Sequence, residues 1–255
     1  MPAAWIGREP GLDRFAGLIE MRGFYHYVDG AGPPRRDWTG AELLSYFDLH
    51  EGLSGALVLR QEQRDEVADF GTVMLIPRVA DDVYVVSSLG AGNGAVFMPL
   101  TRLDLQVRAF VPGWKQGMID VGGYSTWWTQ TRRQLAQSSA LILWYNPLIV
   151  EMRFNSVVTR ADTYEWRFNP QGMLVVLYGA QGERWLMFRT QIGTEPENVP
   201  GVAFAATRDL LAMNFAAGYR HWLQKEFGFN AEVETFHQVG TWSRIGATLG
   251  LFVSF

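Results

Sequence analysis

The chain has 255 residues, of which 48% are apolar and 19% charged, with a net charge of −4 and no cysteine. There is no basic surplus to neutralise phosphate, which argues against a nucleic-acid partner. The lack of cysteine removes disulfides, thiol catalysis and cysteine-based metal sites.

No run of about 18 apolar residues occurs, so transmembrane helices are not expected. Met1-Pro2-Ala3-Ala4-Trp5 has no basic start and no apolar core. The expectation is therefore a mature chain behind an added Met, with an export signal on the native precursor. No Ser/Gly-rich, Pro-rich or charge-block stretch divides the chain, which reads as one domain. Of its 22 basic residues only Lys115 and Lys225 are lysine, and arginine's fork suits paired contacts in confined places.

Residues 1–15 read as a short irregular lead-in broken by Gly7, Pro10 and Gly11. From 16 to 255, segments of roughly 9–13 residues alternate with turn chemistry, giving about 14 strands at ~18 residues per strand and connection. The expected fold is all-β, an up-and-down antiparallel transmembrane β-barrel. Turn signals fall at Asp29 to Pro34, Ala80-Asp81-Asp82, Gly90 to Gly94, Pro112-Gly113, Asn146-Pro147, Gly179 to Gly182, and, as the longest connection, Gly193 to Gly201. Tight connections such as Asn146-Pro147 belong on the periplasmic side and the Gly193–Gly201 loop outside.

The clearest strands alternate with a period of two. Leu103, Leu105, Val107, Ala109 and Val111 oppose Arg102, Asp104, Gln106 and Arg108. Leu148, Val150, Met152, Phe154 and Val158 oppose Glu151, Arg153 and Asn155. Leu211, Met213, Phe215, Ala217 and Tyr219 oppose Asn214, Gly218 and Arg220. Phe227, Phe229, Ala231 and Val233 oppose Asn230, Glu232 and Glu234. Stretches 67–76, 83–88, 135–145 and 173–178 are apolar on both faces, which means either a covered strand or a shifted register.

Alternation alone fits a soluble sheet as well as a membrane barrel. Three features favour apolar side chains outward and charges inward. Both signs of charge interleave at mid-strand. Aromatics gather near the ends of apolar faces, at Trp114, Trp127, Trp128, Trp144, Tyr145, Tyr164, Trp166, Trp185, Tyr219, Trp222 and Trp242, as a membrane-boundary belt would require. The final strand, from Arg244 on, puts Ile245, Ala247, Leu249, Leu251, Val253 and Phe255 on one face to the last residue. Its end resembles the terminal assembly signal of bacterial outer-membrane barrels, carried by Thr248, Gly250, Val253 and Phe255.

The last third resembles the YaiO family of outer-membrane barrels. The residues concerned are Ala217-Gly218-Tyr219-Arg220-His221-Trp222-Leu223, Phe227-Gly228-Phe229-Asn230 and Arg244 to Leu251. Asp37-Trp38-Thr39-Gly40-Ala41-Glu42-Leu43 sits where that family's second strand would begin. The resemblance implies a bacterial outer-membrane location and a link to surface polysaccharide export. It also implies membrane lipids, lipopolysaccharide and the barrel assembly machinery as partners, together with a polysaccharide or a periplasmic export partner. No catalytic residues carry over.

The candidate site is the lumen lining: Arg60, Glu62, Arg102, Asp104, Arg108, Glu151, Arg153, Arg220, Glu232 and Glu234. Opposite charges on neighbouring strands stiffen a wall, and in a water-filled path they also set selectivity. The mixture of signs argues against strong anion or cation preference. Phe236 and Phe252 are inward candidates for stacking on a carbohydrate. His26, His50, His221 and His237 show no metal spacing, and neither a metal nor another cofactor is expected. Gly90 to Gly94 superficially resembles a phosphate loop, but no helix follows it, so it reads as a flexible turn. Two alternatives stay open. One is a lipid-modifying barrel enzyme, with His237 and Ser243 or His26 and Ser45 as its pair; the other is a soluble ligand-binding barrel. The leading expectation is passive transport, or an anchoring role, without catalysis.

Overall fold

A computed structural model describes residues 17–30, 37–64, 66–93, 97–128, 132–161, 166–180, 182–196 and 209–255. The lead-in over 1–15, Tyr164 and Gly94 lie outside the described residues. Fourteen strands follow in order. The first five are β1 (Gly17–Gly30), β2 (Trp38–His50), β3 (Leu53–Gln63), β4 (Val67–Ala80) and β5 (Val83–Gly92). The next five are β6 (Thr101–Val111), β7 (Trp114–Trp127), β8 (Arg132–Tyr145), β9 (Leu148–Ala161) and β10 (Arg167–Ala180). The last four are β11 (Arg184–Pro196), β12 (Asp209–Trp222), β13 (Phe227–Gln238) and β14 (Trp242–Ser254). Each pairs antiparallel with its sequence neighbours, and β14 pairs with β1, so the sheet closes on itself and leaves no edge. No described helix is long and apolar enough to cross a membrane.

One end of the barrel carries the short connections and both strand termini. The turn at Pro112-Gly113 works because Gly113 holds φ at 78°, in the left-handed region that side chains with a Cβ avoid. At the β1–β14 seam of the same end, Gly17 and Phe255 exchange two backbone hydrogen bonds of 2.8 and 3.0 Å. The terminal aromatic residue is thereby fixed into the seam. Within the assembly motif, Thr248 and Gly250 face inward while Val253 and Phe255 face outward.

The two faces divide as elementary solvation requires. Leu105, Met152 and Phe215 are 57%, 44% and 54% exposed on the outer wall, whereas Arg108 on the inner wall is 1% exposed. An apolar exterior that wraps a whole barrel far exceeds the apolar patches of water-soluble monomers. It is the band that lipid covers in a membrane barrel.

The strands that read as apolar on both faces have a specific explanation. Their inward residues form packed clusters inside the barrel. At the short-turn end, Ile142, Val175, Leu177, Trp185, Trp222 and Phe252 form one buried cluster. Ile76 and Val86 form a second with Tyr46, Met74 and Tyr84. Each large side chain withdrawn from lumen water in this way contributes about 1.5–3 kcal/mol. Apart from a register shift between Arg78 and Ala80 where β4 meets the start of β5, the ladders of these strands run in register, and no lid is needed to explain them.

Packing inside the wall relies on glycine opposite an aromatic ring. Phe252 faces Gly228 across the β13–β14 ladder, and a Cβ at Gly228 would collide with the ring. Phe24 faces Gly40, and His26 faces Gly246, in the same way.

Three expectations need correction. Gly90, Ala91 and Gly92 are not a turn; they complete β5, because the Phe70 ring occupies the space a Cβ at Gly90 or Gly92 would need. Gly193 does not open the long connection, since β11 runs on to Pro196 and pairs with β12 to its end; residues 197–201 lie outside the described residues. The tryptophans are not all boundary residues. Trp144, Trp185, Trp222 and Trp242 point inward, the first three into the short-turn-end cluster and Trp242 onto Phe236 at 4.6 Å. The outer wall instead shows Tyr25, Tyr27, Trp166 and Phe168 toward the loop end, and Tyr145, Tyr178 and Phe255 toward the short-turn end.

Candidate functional site: the lumen

Alternation sends every second side chain inward, and antiparallel register brings those side chains into lateral reach. The ten candidate residues all lie on the inner wall, in two groups. Arg102, Asp104, Arg108, Glu151 and Arg153 belong to β6 and β9. Arg60 and Glu62 on β3, Arg220 on β12, and Glu232 and Glu234 on β13 belong to the other.

The β6–β9 group centres on a residue that sequence reasoning missed. Asp120 on β7 sits directly across from Arg108. Its Oδ2 accepts from Arg108 Nη2 at 3.1 Å and from Arg153 Nη2 at 3.0 Å. Arg153 also donates to Glu151 at 2.8 Å and to Ser138 Oγ at 2.7 Å. Arg102 donates to Asp104 at 2.7 Å, and Ser88 Oγ donates to the same carboxylate at 2.9 Å. Arg108, Asp120 and Glu151 are buried, so this network is part of the wall's interior.

The second group surrounds the seam. Glu20 is fully buried and accepts from Arg22, Arg220 and Asn230. Gly250 makes room for this, because Arg22 and Asn230 fill the space over it. Glu62 accepts from Arg60 at 2.7 Å and Arg64 at 2.5 Å. Arg189 reaches Glu232 and Glu234, each at 3.2 Å, and Arg244 reaches Glu234 at 2.9 Å. His26 Nε2 lies 3.4 Å from Glu234. Glu20, Arg22, Glu42, Arg64, Arg189 and Arg244 were also missed. Glu20, Arg22 and Arg64 carried a readable signal, an opposite charge two residues away on the same face, as in Glu20/Arg22 and Glu62/Arg64, whereas Glu42, Arg189 and Arg244 did not. Asp120 had no such partner, and only the strand register reveals its role.

A cavity of about 260 Å³ opens inside this second group. Arg22, Arg60, Arg189, Glu42 and Glu232 present charge to it, and Phe24 and Trp185 present rings. Toward the loop end the lining becomes an arginine–aromatic cluster. The Arg64 guanidinium lies 3.5 Å from the Trp38 ring centroid and 4.3 Å from that of Phe97, and Arg244 lies 4.9 Å from that of Trp38. Contacts of this kind hold cations against ring faces. The two phenylalanines expected to stack on a carbohydrate are inward but covered. Phe252 packs edge-on against Trp222 at 5.0 Å, and Phe236 lies under Trp242. Phe24 is the phenylalanine that lines the cavity.

The histidine pairs separate cleanly. His26 faces inward and Ser45 outward, so the wall stands between them. His237 Nδ1 and Ser243 Oγ are 2.8 Å apart on the outer wall near the loop end. Among the described residues no carboxylate hydrogen-bonds His237. Among them, too, no group of three His, Asp or Glu residues is placed to hold a metal.

A closed antiparallel barrel of 14 strands, apolar outside and charged inside, has the architecture of bacterial outer-membrane barrels. No protein-family model matches the chain, and no curated protein matches it. Solved structures do. The outer-membrane protein Omp33 of Acinetobacter baumannii superposes with a TM-score of 0.58 at 10% identity, over 95% of this chain and all (100%) of that one. A bacterial polysaccharide outer membrane secretin gives 0.57 at 10% identity, over 95% and 99% of the two chains. The CymD monoaromatic hydrocarbon channel gives 0.55 at 8% identity, over 95% and 89%. At such identities the likeness is one of fold.

Proposed function

We propose that the chain is a barrel of the bacterial outer membrane that passes a small polar solute passively through its lumen. The observation that carries this reading is the division of the wall: an apolar band outside, and a charge-lined cavity inside. The YaiO-like closing strand and the polysaccharide secretin among the fold's neighbours support a finer version, in which the solute is linked to surface-polysaccharide export. Anchoring of an export partner by the periplasmic rim belongs to the same version. Lipid hydrolysis is not favoured, because His237 and Ser243 have no described acid to orient the histidine.

Planar-bilayer recording tests the transport reading. The expected result is stepwise conductance with little cation–anion preference, since the lining pairs its charges. The steps are expected to be small, because apolar constrictions such as the short-turn-end cluster resist wetting. Folded protein that inserts into the bilayer yet never conducts would refute passive transport.

A further inference from the structure

We propose that the lumen cavity is a binding site for an uncharged polyhydroxylated ligand, one sugar ring at a time. This rests on the reading of the lumen as a solute path, and adds the chemical class that the path selects. The cavity is about 260 Å³, just under the ~300–1,000 Å³ of sites for drug-sized ligands. A single ring suits that space better than a long oligomer.

The lining decides the charge of the ligand. Glu42, Glu232 and Glu234 face the cavity, so an anionic ligand meets carboxylates. Arg22, Arg60, Arg189, Arg220 and Arg244 face it too, so a cationic ligand meets guanidinium groups, while Glu20 and Glu62 hold Arg22, Arg220 and Arg60 and keep the charges paired. A purely apolar ligand would strip water from all eight without returning a hydrogen bond. A neutral diol answers both signs, donating to a carboxylate and accepting from an arginine.

Glu42 is the group best placed to do this. It stands 3.6 Å from Arg22 and 4.0 Å from Arg60. Both distances exceed the ~2.7–3.2 Å of a made hydrogen bond, so its oxygens keep capacity for a ligand hydroxyl. Its side chain is 19% exposed, and that of Arg60 is 38% exposed. Arg60 is held from behind by Glu62 at 2.7 Å, which fixes its direction. Phe24, kept against the wall by Gly40 and flanked by the Arg60 guanidinium at 4.8 Å from its ring centroid, supplies the apolar edge of the site beside that arginine.

The test is calorimetric titration of the chain in detergent with glucose, glucuronate and glucosamine as probes, with intrinsic tryptophan fluorescence as a second readout. Glucose is expected to bind and both charged probes to bind less well. Glu42→Gln is expected to weaken glucose binding about tenfold, the loss of one hydrogen bond to a charged group. Phe24→Leu is expected to weaken it as well, and strand content by circular dichroism is expected to hold in both variants. No glucose binding, tighter glucuronate binding, or unchanged affinity in both folded variants would overturn the site. Conductance without glucose binding would sink this inference alone. Glucose binding without conductance would keep the site and sink passive transport.

Discussion

Asp120→Ala is expected to destabilise the folded barrel by about 3–5 kcal/mol, the cost of removing one partner from a buried charge network. One carboxylate oxygen serves two arginines there, at 3.1 and 3.0 Å. Arg108 is 1% exposed and cannot recover that attraction from water. Asp120→Asn keeps the shape but not the charge, so a smaller loss of about 1.5–3 kcal/mol is expected. Arg60→Ala is the control: its guanidinium is partly exposed and the buried Glu62 keeps Arg64 at 2.5 Å, so the loss is expected to be well below that of Asp120→Ala. Reversible denaturant unfolding in detergent or vesicles ranks the three. Equal losses for Asp120→Ala and Arg60→Ala would show that the β6–β9 network is not a buried one.

The second large effect is on the outer wall. Leu105 sits midway along β6 and is 57% exposed. Leu105→Arg is expected to cost about 2–4 kcal/mol in a bilayer, the cost of a charge on the lipid face near the midplane. Gln106→Arg, one residue on and facing inward, is expected to cost far less, because the lumen already pairs arginines with carboxylates. In a water-soluble barrel the order would reverse, since Leu105→Arg would place a charge in water and Gln106→Arg would place one in a packed interior.

Much of this architecture is legible in the sequence, and the reasons are local. Period-two alternation in β6, β12 and β13 identifies the faces directly, because each face meets one solvent. The failures share one cause. Sequence patterns report the outer face well but misjudge inner residues that meet other side chains. Trp185 and Trp222 look like boundary residues until the short-turn-end cluster is seen, and Gly90 looks like a turn until Phe70 lies over it. Of the inner charges, Glu20 and Arg22 could have been found by their spacing. Asp120 could not, because its partners come from β6 and β9, and only the ladders bring them together. The cavity needs more still, since its walls come from both ends of the chain.

The most direct test of which face meets lipid is single-cysteine scanning along β6, which the absence of native cysteine makes clean. Cysteines replacing Leu103, Asp104, Leu105, Gln106 and Val107 would each carry a polarity-sensitive fluorophore in liposomes containing a lipid-borne quencher. The expected result is strict alternation, with 103, 105 and 107 quenched by lipid while 104 and 106 are spared. Quenching at 104 and 106 with 103, 105 and 107 protected, or no alternation at all, would contradict it.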